Sequence, residues 1–267
     1  MKYTQQDLTT YAPKTWCPGC PNFVIESTLK NTMIELIDEG YQQKENFVLV
    51  SGIGCHAKIS DYANFNTFYS LHGRAVPAAA GIKLGNPNLT VITHVGDGDV
   101  YSEGLEHLIF AAKRNSNIKV FVHDNRVFAL TTGQFTPTSP SKFPGRSTPD
   151  GSAEDPFNPM ELMLASNATF VARGYVGKQE QLKNLMKAAI KHKGFAIVEI
   201  MEPCLAYFKD YNWYNERVYD LASTHDDSNY DEALKKSREW NYQGDGKIAL
   251  GLFYKTGKPT YEEMIYG

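Results

Sequence analysis

Residues 89–125 read LTVITHVGDGDVYSEGLEHLIFAAKRNSNIKVFVHDN, and two apolar runs in this stretch flank a segment with a different periodicity. The runs at 89–97 and 118–125 are rich in Val, Ile and Phe with little alternation, which is typical of strands covered on both faces. Between them, apolar residues at 103–115 recur every three or four positions, which predicts a helix. A strand, a helix and a second strand in this order form the unit of a parallel sheet.

The same alternation continues on both sides of this unit. Further strand-like runs are NFVLVSG (46–52), ATFVARG (168–174) and FAIVEIM (195–201), and further helix-like segments are FVIESTLKNTMIELIDEG (23–40), VPAAAGIKLG (76–85) and EQLKNLMKAAIKHKG (180–194). We therefore predict an α/β fold with a mostly parallel sheet and helices on both faces. Ligands of such sheets bind beyond the carboxyl ends of the strands, where SGIGC, GDGD, DN and EPC are expected to meet.

The overall composition excludes several classes of protein. Of the 267 residues, 42% are apolar and 21% are charged, with a net charge of −3, which gives no reason to expect nucleic acid or an anionic membrane as a partner. The N-terminal MKYTQQDLTTYAPK lacks the apolar core of a secretory signal, and no run approaches the roughly 18 apolar residues of a membrane span. We therefore expect a cytoplasmic protein whose four cysteines stay reduced and available to a metal.

Two segments fall outside the strand–helix alternation. Residues 131–159 are dense in Pro, Gly, Ser and Thr, as a linker would be, but their phenylalanines favour an ordered loop that covers the site. The aromatic-rich tail after Cys204 predicts an irregular C-terminal arm that packs on the main domain or on a neighbouring subunit. We accordingly divide the chain into a domain at 1–208 and an arm at 209–267.

The GDGD sequence and the asparagine that ends the next strand indicate a site for a magnesium diphosphate. Gly96 and Gly98 let the backbone approach phosphate oxygens because no Cβ is in the way. Asp97 and Asn125 offer the oxygen ligands that Mg²⁺ requires, and the following helix would point its N-terminus at the same anion. GDGD alone is a weak signal, since Asp-Gly pairs are common in turns, whereas the helix and strand that separate it from Asn125 make the pattern more specific.

The four cysteines stand at positions 17, 20, 55 and 204, and four kinds of site are compatible with them. A redox pair requires only Cys17 and Cys20, and buried thiols need have no function. A structural zinc site has the right number of ligands, although its cysteines usually come as two close pairs. A 4Fe–4S cluster takes four thiolates, two from the C-x-x-C and two from the strand ends that carry Cys55 and Cys204.

Six motifs narrow these alternatives when they are taken together and in order. They are WCPGC (16–20), SGIGC (51–55), LHGRAVPAAAGIKLGNP (71–87), VGDGD (95–99), LTTGQFTPTSP (130–140) and EPC (202–204). GDG with a distant asparagine resembles the diphosphate-binding motif of thiamine-diphosphate enzymes. The whole set resembles the β subunit of 2-oxoacid:ferredoxin oxidoreductases over residues 12–208, and the tail resembles it more loosely.

The resemblance implies the cofactors and the residues that bind them. Mg²⁺ and thiamine diphosphate would be held by Asp97, Asn125 and the carbonyl of Val127. A 4Fe–4S cluster would be bound by Cys17, Cys20, Cys55 and Cys204. Contacts to the cofactors are expected from Gly54, Cys55, Gly96, Asp97, Gly98, Asp99, Asn125, Val127, Thr131 and Thr132.

Three basic side chains complete the set of residues implied by the resemblance. Lys58, His72 and Arg74 are expected to contact the cofactor or the carboxylate of the substrate, in catalytic roles.

Two positions depart from the family pattern. Asp124 stands where the family often has asparagine, next to the implied ligand Asn125. Pro21 stands where the family usually has glycine after the second cysteine, so this position has no N–H to donate to a cluster sulfur. Proline is, however, well suited to the first turn of the helix that follows.

The reaction implied by the resemblance is the coenzyme A-dependent oxidative decarboxylation of a 2-oxoacid to an acyl-CoA and CO₂, with electrons passing singly through the cluster to ferredoxin. The glutamate that activates thiamine would come from an α-type, pyrimidine-binding subunit, and γ- and δ-type subunits are compatible with the assembly. A thiamine decarboxylase or synthase subunit without electron transfer is one alternative, and a non-catalytic scaffold subunit is another. The sequence does not identify the 2-oxoacid.

Overall fold

Strand β3 (Thr90–Gly96), helix α4 (Leu105–Arg114) and strand β4 (Ile118–Asp124) form the predicted parallel unit at the centre of the sheet. They are seen in a computed structural model that describes residues 2–208 and 210–267. Every residue of the two strands is buried, in agreement with the continuous apolar runs from which they were predicted.

The other elements continue the alternation in both directions. The remaining strands are β1 (Phe47–Ser51), β2 (Asn66–Tyr69), β5 (Phe170–Tyr175), β6 (Ala196–Met201), β7 (Val218–Asp220) and β8 (Ile248–Lys255). The remaining α-helices are α1 (Asn22–Asp38), α2 (Ile59–Tyr62), α3 (Ala75–Gly85), α5 (Pro159–Ala165), α6 (Gln179–Lys191), α7 (Tyr211–Asn215), α8 (Tyr230–Ser237) and α9 (Tyr261–Tyr266).

The strands form one sheet in the order β2-β1-β3-β4-β6-β5-β8-β7. The first six strands in this order run parallel, β8 is antiparallel to β5, and β7 is parallel to β8. This arrangement confirms the predicted α/β class with a mostly parallel sheet.

Successive residues of a strand point to opposite faces of the sheet. Both faces are apolar, and helices cover both of them. On one face Ile92 and Phe121 pack into a core with α1 and α6. On the other face Val91 and Val120 pack into a core with α3 and α4. Each fully buried aliphatic side chain of this kind contributes roughly 1.5–3 kcal/mol to folding, and together these residues hold the site-bearing strand ends in place.

The tail after Cys204 contributes two strands to the sheet, which were not predicted from the sequence. β8 pairs with β5, and β7 lies at the sheet edge beyond it. The rest of the tail consists of turns and short helices, with α7 before β7, α8 between the two strands and α9 after β8. The boundary proposed at residue 209 falls on a position outside the described residues, so the division into a domain and an arm stays a prediction.

The carboxyl ends of β1, β3, β4 and β6 lie side by side, as their parallel pairing requires. They carry SGIGC, GDGD, DN and EPC, which confirms that these four stretches share one edge of the sheet. Within residues 2–208 and 210–267, none of the helices is both long and apolar enough to cross a membrane.

Candidate functional site

A cavity of about 500 Å³ opens at this edge of the sheet, within the size range of small-molecule sites. Ten residues of the predicted site line it: Gly54, Cys55, His72, Gly96, Asp97, Gly98, Asp99, Asn125, Val127 and Thr131. Gln134, Phe135 and Pro137 of the long loop line it as well. The loop at 131–159 is therefore ordered against the site, as predicted.

The glycines of the motifs make room for the cavity floor. A Cβ on Gly98 would lie 2.3 Å from the Phe128 ring, and a Cβ on Gly96 or Gly54 would lie 2.7 or 2.8 Å from the His56 ring. Real Cβ atoms do not approach other atoms so closely, so a larger residue would push an aromatic ring aside. The bare backbone would give a phosphate group access to this floor, as predicted from the sequence.

Two buried carboxylates lie beneath the floor, and one hydroxyl contacts both. The Thr138 hydroxyl is 2.8 Å from Asp97 Oδ2 and 3.0 Å from Asp124 Oδ1. Burial raises the pKa of Asp97 to about 6 and raises the pKa of Asp124 well above its usual value. Asp124 Oδ2 is buried with no hydrogen-bond partner in the part of the chain that the structure describes. A divalent cation would compensate the charge of this acidic pair.

Asn125 and Val127 stand next to these carboxylates at the end of β4. Asn125 Oδ1 accepts a hydrogen bond from the Val127 backbone N–H at 3.0 Å, which bends the chain so that both residues line the cavity. With Asp97 they form the set of oxygen donors that Mg²⁺ prefers, so the donor chemistry fits the ion implied by the resemblance.

Asp99 and Thr131 are both held by neighbours within the cavity wall. The Gly73 backbone N–H donates to Asp99 Oδ1 at 2.7 Å, and Asp99 Oδ2 lies 3.5 Å from Nε2 of the buried His56. The Thr131 hydroxyl donates to Gln134 Oε1 at 2.8 Å. The hydrogen bonds from Gly73 and to Gln134 fix the orientation of Asp99 and Thr131, which a ligand would meet.

Three residues that were predicted to contact the thiamine cofactor or the substrate are absent from the lining of this cavity in the described chain. Lys58 Nζ donates to the Thr15 carbonyl oxygen at 3.3 Å, and Arg74 Nη1 donates to the Glu103 carbonyl oxygen at 2.8 Å. Thr132 has a left-handed backbone with φ of +78° and accepts a hydrogen bond through its hydroxyl from an arginine of the loop. Their roles toward cofactor and substrate stay predictions.

A second, smaller cavity adjoins the first and is lined by all four cysteines. The four thiols are free. Cys55 and Asn125 line both cavities, so the two sites are in direct contact. Cys17 and Cys20 occupy the turn before α1, whereas Cys55 and Cys204 follow β1 and β6, so the fold brings the distant singletons to the C-x-x-C turn.

Burial disfavours the thiolate form of Cys20, Cys55 and Cys204. Burial, followed by the nearby carboxylate of Glu202, raises the pKa of Cys55 to about 11 and that of Cys20 to about 12. Burial likewise raises the pKa of Glu202 to about 8. Across 2–208 and 210–267, no three His, Cys, Asp or Glu side chains are arranged to hold a metal ion. Four thiols around one cavity nevertheless fit the donor chemistry of an iron–sulfur cluster.

Pro21 lies where helix α1 begins, as predicted. Its φ of −61° and ψ of −20° are helical, and its carbonyl oxygen accepts hydrogen bonds from the N–H groups of Val24 at 2.8 Å and Ile25 at 3.1 Å. Proline fits this position because the first residues of a helix have no partner for their N–H groups.

Four residues in or next to the two cavities were missed in the sequence analysis. His56, Glu202 and Thr138 stand inside or beside the six motifs, so their position was a usable signal. Asn22 had no such signal, because its contacts depend on the docking of α1. Asn22 Nδ2 donates to Glu202 Oε1 at 3.3 Å, and Asn22 Oδ1 is 2.8 Å from Nδ1 of His123.

Comparison with known proteins points to one family along most of the chain. The family model of the thiamine pyrophosphate enzyme C-terminal TPP binding domain matches residues 52–200. The C-terminal family model of the pyruvate ferredoxin oxidoreductase beta subunit matches residues 206–267.

Individual relatives give the same result. The chain is 41% identical to a 2-oxoacid:ferredoxin oxidoreductase subunit beta from Sulfolobus sp, with 94% of this chain and 85% of the relative covered. It is 33% identical to the 2-oxoglutarate synthase subunit KorB of Methanothermobacter marburgensis, with 100% and 90% covered. A 2-oxoglutarate:ferredoxin oxidoreductase from Magnetococcus marinus, solved with 2-oxoglutarate, coenzyme A and succinyl-CoA bound, superposes with a TM-score of 0.92 at 34% identity, covering 98% of this chain and 88% of that one.

Proposed function

The chain belongs to the β subunits of 2-oxoacid:ferredoxin oxidoreductases, and from this premise we propose that it binds thiamine diphosphate with Mg²⁺ in the larger cavity and a 4Fe–4S cluster in the smaller one. With its partner subunits it would convert a 2-oxoacid and coenzyme A to an acyl-CoA and CO₂, passing electrons singly to ferredoxin. The 2-oxoglutarate and coenzyme A bound in the Magnetococcus marinus enzyme support a substrate of this class.

The observation that carries the proposal is the wall shared by the two cavities. Cys55 and Asn125 line both of them, so a cofactor in one lies beside a cluster in the other. Electron transfer from an organic cofactor to a one-electron carrier requires such proximity. A thiamine enzyme without electron transfer would not need an iron–sulfur cluster beside its cofactor.

The residues of the larger cavity would divide the binding of the cofactor between them. Asp97, Asn125 and the carbonyl of Val127 would hold Mg²⁺, and the exposed backbone at Gly96 and Gly98 would receive the diphosphate. When bound, thiamine diphosphate stabilises the negative charge that develops on the keto carbon as CO₂ leaves.

The residues of the smaller cavity would provide the thiolates. Cys17, Cys20, Cys55 and Cys204 would each lose a proton on binding iron, which overcomes the unfavourable burial of the thiolate charge. Lys58 contributes to this by favouring the thiolate of Cys55 electrostatically.

The chain is proposed to be incomplete as a catalyst. The activating glutamate of the resembling family lies on an α-type subunit, and γ- and δ-type subunits are compatible with the assembly. A cytoplasmic location stays a prediction.

Anaerobic purification followed by metal and cofactor analysis tests the proposal. We expect about four irons and four sulfides per chain together with thiamine diphosphate, and loss of the iron in Cys204→Ser. Zinc without iron would refute the electron-transfer half and favour the decarboxylase or synthase alternative. Absence of thiamine diphosphate in the assembled enzyme would refute the other half and favour a scaffold.

A further inference from the structure

Arg126 directly follows the asparagine of the diphosphate motif, and its guanidinium is buried where three parts of the chain meet. The residue is 1% exposed. Its backbone has φ of +62°, in the left-handed region that few residues other than glycine adopt. The proposed cofactor contacts do not involve this side chain, so its burial and its unfavourable backbone call for another explanation.

The first set of contacts holds the loop above the diphosphate motif. Arg126 Nε donates to the Thr138 carbonyl oxygen at 2.7 Å, and the Ser139 hydroxyl donates to the Arg126 carbonyl oxygen at 2.6 Å. Thr138 is the residue whose hydroxyl contacts Asp97 at 2.8 Å. The position of that hydroxyl therefore depends on the arginine.

The second set of contacts reaches the C-terminal tail and the cysteine cavity. Arg126 Nη2 donates to the Tyr242 carbonyl oxygen. The guanidinium lies 5.1 Å from the Trp240 ring and 5.2 Å from the Phe208 ring, within the range of cation–π attraction. The Phe208 backbone N–H in turn donates to the Cys204 carbonyl oxygen at 2.8 Å.

We propose that Arg126 is a positioning residue through which the C-terminal brace, residues 240–242, holds Thr138 at the diphosphate site and Phe208 beside Cys204. The inference rests on the proposed function, since it assigns the brace a role in binding the cofactor. The segment that contains the brace lies between β7 and β8. According to this proposal, the two strands therefore support the cofactor site as well as the core.

An arginine is needed here because its planar fork donates in different directions at once. Nε and Nη2 reach carbonyl oxygens on two separate segments, those of Thr138 and Tyr242. A lysine carries its three donors on one nitrogen, whereas Arg126 reaches the two oxygens from two different nitrogens, so we expect a lysine here to leave one of the two oxygens unpaired.

Arg173 offers a matched control within the same aromatic cluster. It is also 1% exposed, and its guanidinium lies 5.4 Å from the Trp240 ring and 5.3 Å from the Tyr242 ring. It donates to Glu199 Oε2 at 2.7 Å and to the Tyr242 hydroxyl at 2.6 Å. These contacts belong to the sheet and the brace and do not include the loop.

The test compares Arg126→Lys with Arg173→Lys in the full-length chain, each purified in the same assembled state as the wild type. The affinity for thiamine diphosphate is measured by tryptophan fluorescence at saturating MgCl₂. The protection of the backbone amides in residues 136–139 is measured by hydrogen exchange in the absence of the cofactor. We expect Arg126→Lys to weaken binding about tenfold and to expose these amides, because one hydrogen bond of the loop is lost. Arg173→Lys, which loses contacts with the brace but none with the loop, is expected to change both readouts less than Arg126→Lys does.

Equal effects of the two variants on both readouts, or none from Arg126→Lys, would overturn the proposal. If Arg126→Lys does not fold, Thr138→Val replaces it, since this variant removes the hydroxyl that the arginine positions; unchanged binding there would also overturn the proposal. A wild-type enzyme that binds no thiamine diphosphate would instead refute the proposed function. Hydrogen exchange alone would then decide whether Arg126 holds the loop.

Discussion

At Gly98 the diphosphate motif has no room for a side chain. A Cβ there would lie 2.3 Å from the Phe128 ring, so Gly98→Ala would displace that ring, which lines the cavity. We expect the affinity for thiamine diphosphate, measured by calorimetry, to fall about tenfold or more, which corresponds to about 1.4 kcal/mol.

Gly81 is the matched control for this substitution. It lies inside α3 with nothing within 4 Å of an added Cβ. Gly81→Ala should leave the affinity unchanged and raise the free energy of unfolding by roughly 0.5–1 kcal/mol, since alanine is the better helix former. Equal affinities of wild type and Gly98→Ala would mean that the cofactor does not bind over the motif.

The four thiols should differ in reactivity when no metal is bound. Burial raises the pKa of Cys20 to about 12 and that of Cys55 to about 11, so their thiolate fraction at neutral pH is lower than that of an ordinary cysteine. Cys17 is exposed. We expect iodoacetamide at pH 7.5 to label Cys17 first in the metal-free chain, as followed by mass spectrometry.

Loading with iron and sulfide should then protect all four cysteines equally. Cys17 and Cys204 are the informative positions in this comparison. Cys17 is exposed, and Cys204 is far in sequence from the other three cysteines. Continued labelling of either after reconstitution would remove it from the set of cluster ligands.

The site residues in the motifs could be predicted because the sequence gives both the chemical type of each residue and its spacing from the others. Asp97 and Asn125 are separated by one helix and one strand, and the parallel register then brings them together. Thr138 also stands in a motif, but its contact with Asp97 could not be predicted from spacing. Its hydroxyl reaches Asp97 only because the irregular loop folds back over the sheet, and no periodicity encodes that path.

At the scale of elements, burial decided which strands could be predicted. The five strands found from the sequence are buried along their whole length, whereas all four residues of β2 are exposed at the sheet edge. β8 contains Gly251 with φ of +136°, which interrupts its apolar run, and β7 has three residues. Edge strands and interrupted strands lack the pattern on which such predictions depend.

Pro21 gives an element-scale prediction about the start of α1. Pro21→Gly introduces a backbone N–H beside the proposed cluster site. It also increases the conformational entropy of the unfolded chain. We expect the free energy of unfolding, measured in urea, to fall by roughly 0.4–1 kcal/mol. If the restored N–H reaches a cluster sulfur, the midpoint potential should rise in a redox titration, because such hydrogen bonds stabilise the reduced cluster. Equal midpoints would show that this amide has no electrostatic role.

For the whole molecule, the tail after Cys204 is part of the fold and of the site. Tyr214 and Ile248 are buried in the core that contains α1 and α6, and Phe253 is buried in the opposite core. Tyr242 donates to the buried Glu199 of β6 at 2.5 Å, and Glu199 also accepts from Arg173 of β5. The irregular arm expected from the sequence therefore completes both cores of the sheet.

It follows that a chain truncated after residue 208 should not fold cooperatively. Removing β8 exposes the paired edge of β5 and leaves Glu199 and Arg173 without the Tyr242 hydroxyl. We expect thermal unfolding followed by circular dichroism to show no sharp transition for this fragment. Deletion of residues 264–267, which are exposed, is the control and should preserve the transition. A cooperative transition in the truncated chain would show instead that residues 1–208 form an independent domain, with the strands of the tail docking on a sheet that is already complete.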